Sequence, residues 1–173
     1  MRSELEDLRE HLERYRQVTL QVLDLVSDDQ LAWRPGAESY SLGQQLLHIA
    51  QAEDLHAHGL FESDWNFERA RFPKEPITRD YLRTYFGRVR DYTRTQLDSL
   101  SERRLSDISS APDAPVEWTL RSGLWFILEH ELHHRGQVWL YLRQMGITAP
   151  FYAFPLPAGE RPDIKARQEL GGF

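Results

Sequence analysis

The sequence predicts an all-α protein built as a four-helix bundle. Four long stretches repeat apolar residues at spacings of three and four, the period of one helix face. Between them lie Pro- and Gly-bearing connections, and little in the chain alternates with the two-residue period of a strand.

In the first stretch Leu5, Leu8, Leu12, Tyr15, Val18, Val22 and Leu25 form one continuous stripe. Asp28 and Asp29 then open a connection running through Trp33-Arg34-Pro35-Gly36, where the Pro-Gly pair stops helix. Ser41 is placed to cap the second helix, with Gln44 completing a capping box, and this helix should run to about Leu60. Pro73 and Pro76 fall in the next connection. Thr78 caps the third helix, with Asp80 in its first turn and Tyr81, Leu82, Tyr85, Phe86, Val89, Tyr92, Leu97 and Leu100 along it. Ser109 to Pro115 reads as a loop. The fourth helix spans about Thr119 to Met145 and stops at Gly146. Residues 1–147 thus make one bundle domain. Residues 148–173 are a Pro-rich, extended C-terminal tail whose Phe151, Tyr152 and Phe154 suggest packing along something.

Composition narrows the function. The chain has 173 residues, 40% of them hydrophobic, so it can bury a core. A net charge of −6 with no Lys/Arg cluster argues against nucleic acid. No unbroken apolar run exceeds five residues, Leu124 to Leu128 being one, which argues against a membrane span. Charged residues crowd the first turn where a signal peptide would be apolar. A soluble, cytoplasmic protein is expected. The chain has no cysteine, so it offers neither a thiol nucleophile nor a thiolate metal ligand.

The seven histidines are the most informative residues. His130 and His134 are one helical turn apart and can present two imidazoles to one ion. His133 could replace His134 at a spacing of three, so the pair stays ambiguous at this point. His48, inside the apolar run Leu46-Leu47-His48-Ile49-Ala50, is the best third donor from a facing helix. A three-histidine face suits a borderline-soft divalent ion and leaves coordination positions open, as catalytic sites do. His11, His56 and His58 are expected at the surface or beside the site rather than on the ion.

His130-Glu131-x-x-His134 also matches a metalloprotease motif, but no third ligand follows in the expected pattern. Glu131 reads first as an exposed helix charge and second as an acid or base beside the metal. Glu53, beyond His48, is a candidate neighbour of the site. Gly136 in a helix interior suggests close helix approach. Arg135 and Gln137 could orient ligand histidines, although a surface ion pair explains Arg135 as well. Trp33 and Pro35 should pack the end of the bundle, and Trp125 and Trp139 the core.

These residues resemble a known family. His130-x-x-His133-His134-Arg135-Gly136-Gln137 is similar to the signature of DinB/YfiT-like proteins. So are Leu31-x-Trp33-Arg34-Pro35, Ser41-Leu42-Gly43-Gln44 and Leu47-His48-x-x-x-x-Glu53, in that order. The resemblance covers about residues 5–147. It implies a four-helix bundle, a divalent metal such as zinc or nickel on His48, His130 and His134, and a homodimer. Relatives with assigned activities include thiol-dependent S-transferases and a mycothiol-dependent maleylpyruvate isomerase. The implied function is therefore a metal-dependent transferase using a low-molecular-weight thiol on a small-molecule substrate. The alternatives are a non-catalytic, metal-stabilised interaction bundle and a metal-dependent hydrolase using a metal-bound water.

Overall fold

The computed structural model describes residues 2–109 and 117–151, and within them the four long helices lie where the apolar periods place them. Helix α1 spans Glu4–Leu20 and starts from a capping box in which the Ser3 hydroxyl accepts from the Glu6 amide. Its stripe does not run unbroken to Leu25. A turn at Gln21 separates α1 from a short α2, Val22–Leu25. Two residues earlier, the Thr19 Oγ stands 3.1 Å from the Tyr15 carbonyl, although its single proton has a shorter partner in Glu131 at 2.6 Å. Asp28–Leu31 forms another short helix, α3, where the sequence suggested only a connection. Ser27 and Gln30 cap it reciprocally.

Helix α4, Leu42–Glu62, begins at Ser41 as its capping box predicts, with Ser41 Oγ accepting from the Gln44 amide at 3.2 Å and Gln44 Oε1 accepting from the Ser41 amide at 2.9 Å. It ends at Ser63 in the left-handed region, φ 58°. Helix α5, Arg79–Ser99, is capped by Thr78. Helix α6, Leu120–Gln144, is capped by Thr119 and closed by Gly146 at φ 74°, a conformation glycine adopts without cost. Two-residue strands β1 (Ile108–Ser109) and β2 (Trp118–Thr119) pair antiparallel just before α6. Elements this short carry no readable period. Most of the loop predicted from Ser109 to Pro115, and the tail from residue 152 with Tyr152 and Phe154, lie outside the described residues.

Helix α4 packs against α6 on one side and α5 on the other, while α1 lies against both α5 and α6. Gln45 meets Gln137, and Leu60 meets Gly123, so α4 and α6 run antiparallel. The apolar interior falls into two halves. Val22, Leu23, Leu46, Leu47, Phe86, Val138 and Leu142 belong to one, and Leu8, Leu12, Leu60, Leu97, Leu124 and Leu128 to the other. Among the described residues no helix is long and apolar enough to cross a membrane.

Candidate metal centre

The antiparallel α4–α6 pair brings His48, His130 and His134 together. One donor nitrogen from each lies within 4.8 Å of the others. Ring centroids stand 4.9 Å apart for His48 and His130, 4.5 Å for His48 and His134, and 4.4 Å for His130 and His134. All three rings are half-buried. Of the two alternatives for the second helical donor, His134 joins the cluster. His133 is exposed and stays outside it, its Nε2 accepting from Gln137 Nε2 at 3.0 Å.

His134 is held by two amides. Its Nδ1 lies 3.0 Å from Gln45 Oε1 and 3.2 Å from Gln137 Oε1. Both partners are carbonyl oxygens and can only accept, so Nδ1 carries the proton and Nε2 is the nitrogen free to ligate. Gln45 Nε2 in turn donates to Gln137 Oε1 at 2.5 Å. Gln137 thus takes the orienting role expected of it. Gln45 was missed by sequence reasoning, although it lies three residues before His48 and hence on the same helix face.

Burial, and then the charge that neighbouring imidazoles would carry, pushes His130 down to about 3 and His134 down to about 4. Burial also lowers His48. All three are therefore neutral at pH 7, the form that binds a transition metal. Aromatic rings flank the cluster: Tyr40 is 5.8 Å from His48, and Phe126 is 5.8 Å from His130. The donor set of three neutral imidazoles fits a borderline-soft divalent ion. Among the described residues no carboxylate joins it.

Several sequence readings need correction. Glu131 is not an exposed charge; it is 1% exposed, turned into the core, and accepts from Arg16 Nη2 at 3.2 Å and from the Thr19 hydroxyl at 2.6 Å. Burial alone would raise its pKa. The Arg16 and then Arg90 guanidiniums outweigh that and hold it below the usual carboxylate range. Glu53 is likewise buried and paired with Arg16 rather than placed among the imidazoles. Arg135 is buried rather than in a surface ion pair. It donates to the Tyr15 carbonyl at 3.3 Å and lies over the Tyr15 and Trp139 rings. Gly136 is exposed, and a Cβ there would meet nothing within 4 Å. The close approaches occur at Gly59 and Gly123, where a Cβ would come within 2.4 Å of Trp65 and Leu60 respectively.

Trp33, Trp125 and Trp139 pack against the core while remaining partly exposed, whereas Pro35 is exposed. His11, His56 and His58 stay out of the cluster as expected. Each places Nδ1 on a carbonyl one turn back, and His58 stacks on Tyr92 at 3.9 Å. Arg16 and Arg90, which hold the two carboxylates, carried a signal that went unused. Each occupies a stripe position, Leu12-Arg16-Thr19 and Phe86-Arg90-Thr93, where an apolar residue is the rule.

Comparison with known proteins places the chain in a group. Residues 1–162 match the DinB family, a span that continues past residue 147, the end of the resemblance read from the motifs. The chain is 30% identical over 147 residues to the uncharacterized protein YjoA of Bacillus subtilis, covering 82% of this chain and 92% of that one. The crystal structure of that DinB-like protein superposes with a TM-score of 0.69 at 24% identity, over 87% of this chain and 99% of the other. A DinB-like protein from Bacillus cereus gives 0.70 at 20% identity, over 84% and 95%. YfiT from Bacillus subtilis, described as a probable metal-dependent hydrolase with an unusual four-helix bundle topology, gives 0.58 at 18% identity, over 86% and 92%.

Proposed function

Because the chain belongs to the DinB family, we propose that it is a metal-dependent transferase that joins a low-molecular-weight thiol to an electrophilic small molecule. The three-imidazole face carries this reading. His48, His130 and His134 would hold a divalent ion, zinc or nickel, and three protein ligands leave positions open for an incoming group. Such an ion supplies a Lewis acid beside which a thiol persists as thiolate at neutral pH. Gln45 and Gln137 keep the His134 ring in its ligating tautomer. Tyr40 and Phe126 cover flanks of the cluster. With no cysteine in the chain, the sulfur arrives from outside. Transfer forms one carbon–sulfur bond, expels the leaving group of the electrophile and releases the thiol proton to solvent.

Hydrolysis is the second reading, favoured by the description of YfiT. Attack by water calls for a base to take its proton. Glu131, the natural candidate in His-Glu-x-x-His, is locked in the core by Arg16 and Thr19. A thiol, with an ordinary pKa of about 8.5, needs far less assistance. The same reading takes the working unit as a homodimer. The exposed Leu132 and Leu140, bracketing Gly136 on one face of α6, support a partner surface there.

The test is direct. Zinc- or nickel-loaded protein, given a small thiol and a chromogenic aryl halide, is expected to form thioether faster than buffer alone. Chelation and His130→Ala should each abolish the gain. Turnover of esters or amides without thiol would move the assignment to hydrolysis. No turnover of either kind with metal bound would leave a bundle that metal merely pins.

A further inference from the structure

Each of the four long helices sends one charged side chain to the same level of the interior. Arg16 from α1, Glu53 from α4, Arg90 from α5 and Glu131 from α6 are all at most 7% exposed. Arg16 Nη2 donates to Glu53 Oε2 at 2.5 Å and to Glu131 Oε2 at 3.2 Å. Arg90 Nη2 lies 3.2 Å and 3.6 Å from the same two oxygens. The two apolar half-cores lie on either side of this layer. Along α4, α5 and α6, and along α1 continued into α2, the charged residue falls between the residues of one half and those of the other: Leu12 and Val22 around Arg16, Ala50 and Leu60 around Glu53, Phe86 and Leu97 around Arg90, Leu128 and Val138 around Glu131.

We propose that this charged waist is the positioning device of the metal centre: it sets the axial register of α4 against α6, and so the placement of His48 relative to His130 and His134. The inference rests on reading those histidines as ligands. The ligands lie next to the waist along α4 and α6. His130 directly precedes Glu131, His134 follows it by three residues, and Glu53 lies five beyond His48. The imidazoles leave α4 and α6 towards the half-exposed side, and the carboxylates leave towards the core.

The physics of the two kinds of contact decides which one fixes register. Leucine-rich packing is non-directional, and cores repacked with other apolar side chains lose uniqueness before they lose stability. A slip of one residue along a helix is about 1.5 Å, which apolar layers absorb but a charge-assisted hydrogen bond does not. Zinc–imidazole bonds of about 2.0–2.1 Å are no more tolerant. Two carboxylates repel unless cations bridge them, so Glu53 and Glu131 can meet only where both reach Arg16 and Arg90. Desolvation offsets much of the attraction in a buried ion pair, and fixing register is its best-attested use.

The experiment separates positioning from plain stabilisation. Zinc affinity, by competition with a chromophoric chelator, and urea unfolding of the metal-free protein are measured for two full-length variants beside wild type. One is the volume-conserving replacement Arg16→Met/Glu53→Leu/Arg90→Met/Glu131→Leu. The other is Arg16→Lys, which keeps the charge and loses the planar fork. The fourfold variant is expected to unfold at a urea concentration no lower than wild type while binding zinc about 10- to 100-fold more weakly. Arg16→Lys should weaken zinc several-fold with little change in unfolding. Unchanged zinc affinity in a folded fourfold variant would overturn the proposal. So would affinity losses that merely track lost stability. If the fourfold variant does not fold, Arg16→Lys and Thr19→Val decide by the same comparison. Wild type that binds no zinc would instead remove the three-histidine reading, and the proposal with it.

Discussion

At the scale of single residues, the candidate site is three imidazoles kept neutral by their surroundings. Burial first, and then the charge that neighbouring imidazoles would carry (His134 foremost for His130, His48 for His134), pushes His130 down to about 3 and His134 down to about 4. An unfolded histidine titrates near 6.5. The folded chain therefore binds fewer protons than the unfolded chain between those values, and stability of the metal-free protein must rise with pH there. Urea unfolding of metal-free protein should show full stability above about pH 6.5 and a progressive loss towards about pH 4. Metal affinity of the folded protein should begin to fall only below pH 6.5, because burial lowers all three ligand imidazoles. A binding midpoint near 6.5 would mean that the ligands are solvated histidines. The spacing of His130 and His134 and the apolar setting of His48 were legible in the sequence. The position of Glu131 was not. Its partner Arg16 is 115 residues away, and only folding shows that the glutamate of His-Glu-x-x-His turns inward.

At the scale of elements, the caps wrote themselves into the sequence most clearly. Ser41 with Gln44, Thr78 and Thr119 all start helices where expected. Removing the Ser41 cap, by Ser41→Ala, should lower unfolding free energy by about 1 kcal/mol. The glycines were harder, because composition cannot distinguish a crowded glycine from an exposed one. Gly136→Ala should leave zinc binding unchanged and raise stability by up to about 1 kcal/mol, since nothing lies within 4 Å of the new methyl group. Gly59→Ala should do the opposite, costing about 1–3 kcal/mol, because the methyl group would collide with the Trp65 ring. Equal effects of the two substitutions in urea unfolding would show that the helix surfaces are assigned wrongly. The short elements α2, α3, β1 and β2 escaped the sequence because one turn or two residues give no period to detect.

At the scale of the whole molecule, the bundle is two apolar half-cores joined through a charged waist, with the histidine cluster on α4 and α6 at that waist. The four-helix architecture followed from four apolar periods. The waist did not, since its members come from four separate helices and only the stripe positions of Arg16 and Arg90 hint that any of them is buried. An ion shared by α4 and α6 binds the folded state and has no assembled site in the unfolded chain. Zinc at about a thousand times its dissociation constant should therefore add about 4 kcal/mol. That corresponds to roughly 8–16 °C in Tm for a chain of this size. The same titration on His134→Ala should give no comparable rise, as read by calorimetry.

The central claim, that His48, His130 and His134 hold one metal ion, is met most directly by elemental analysis of tag-free protein after reconstitution. Wild type and the His133→Ala control should carry about one equivalent of a divalent transition metal, and His48→Ala, His130→Ala and His134→Ala should each carry almost none. Metal-free wild type, or full occupancy in any one of the three ligand variants, would contradict it.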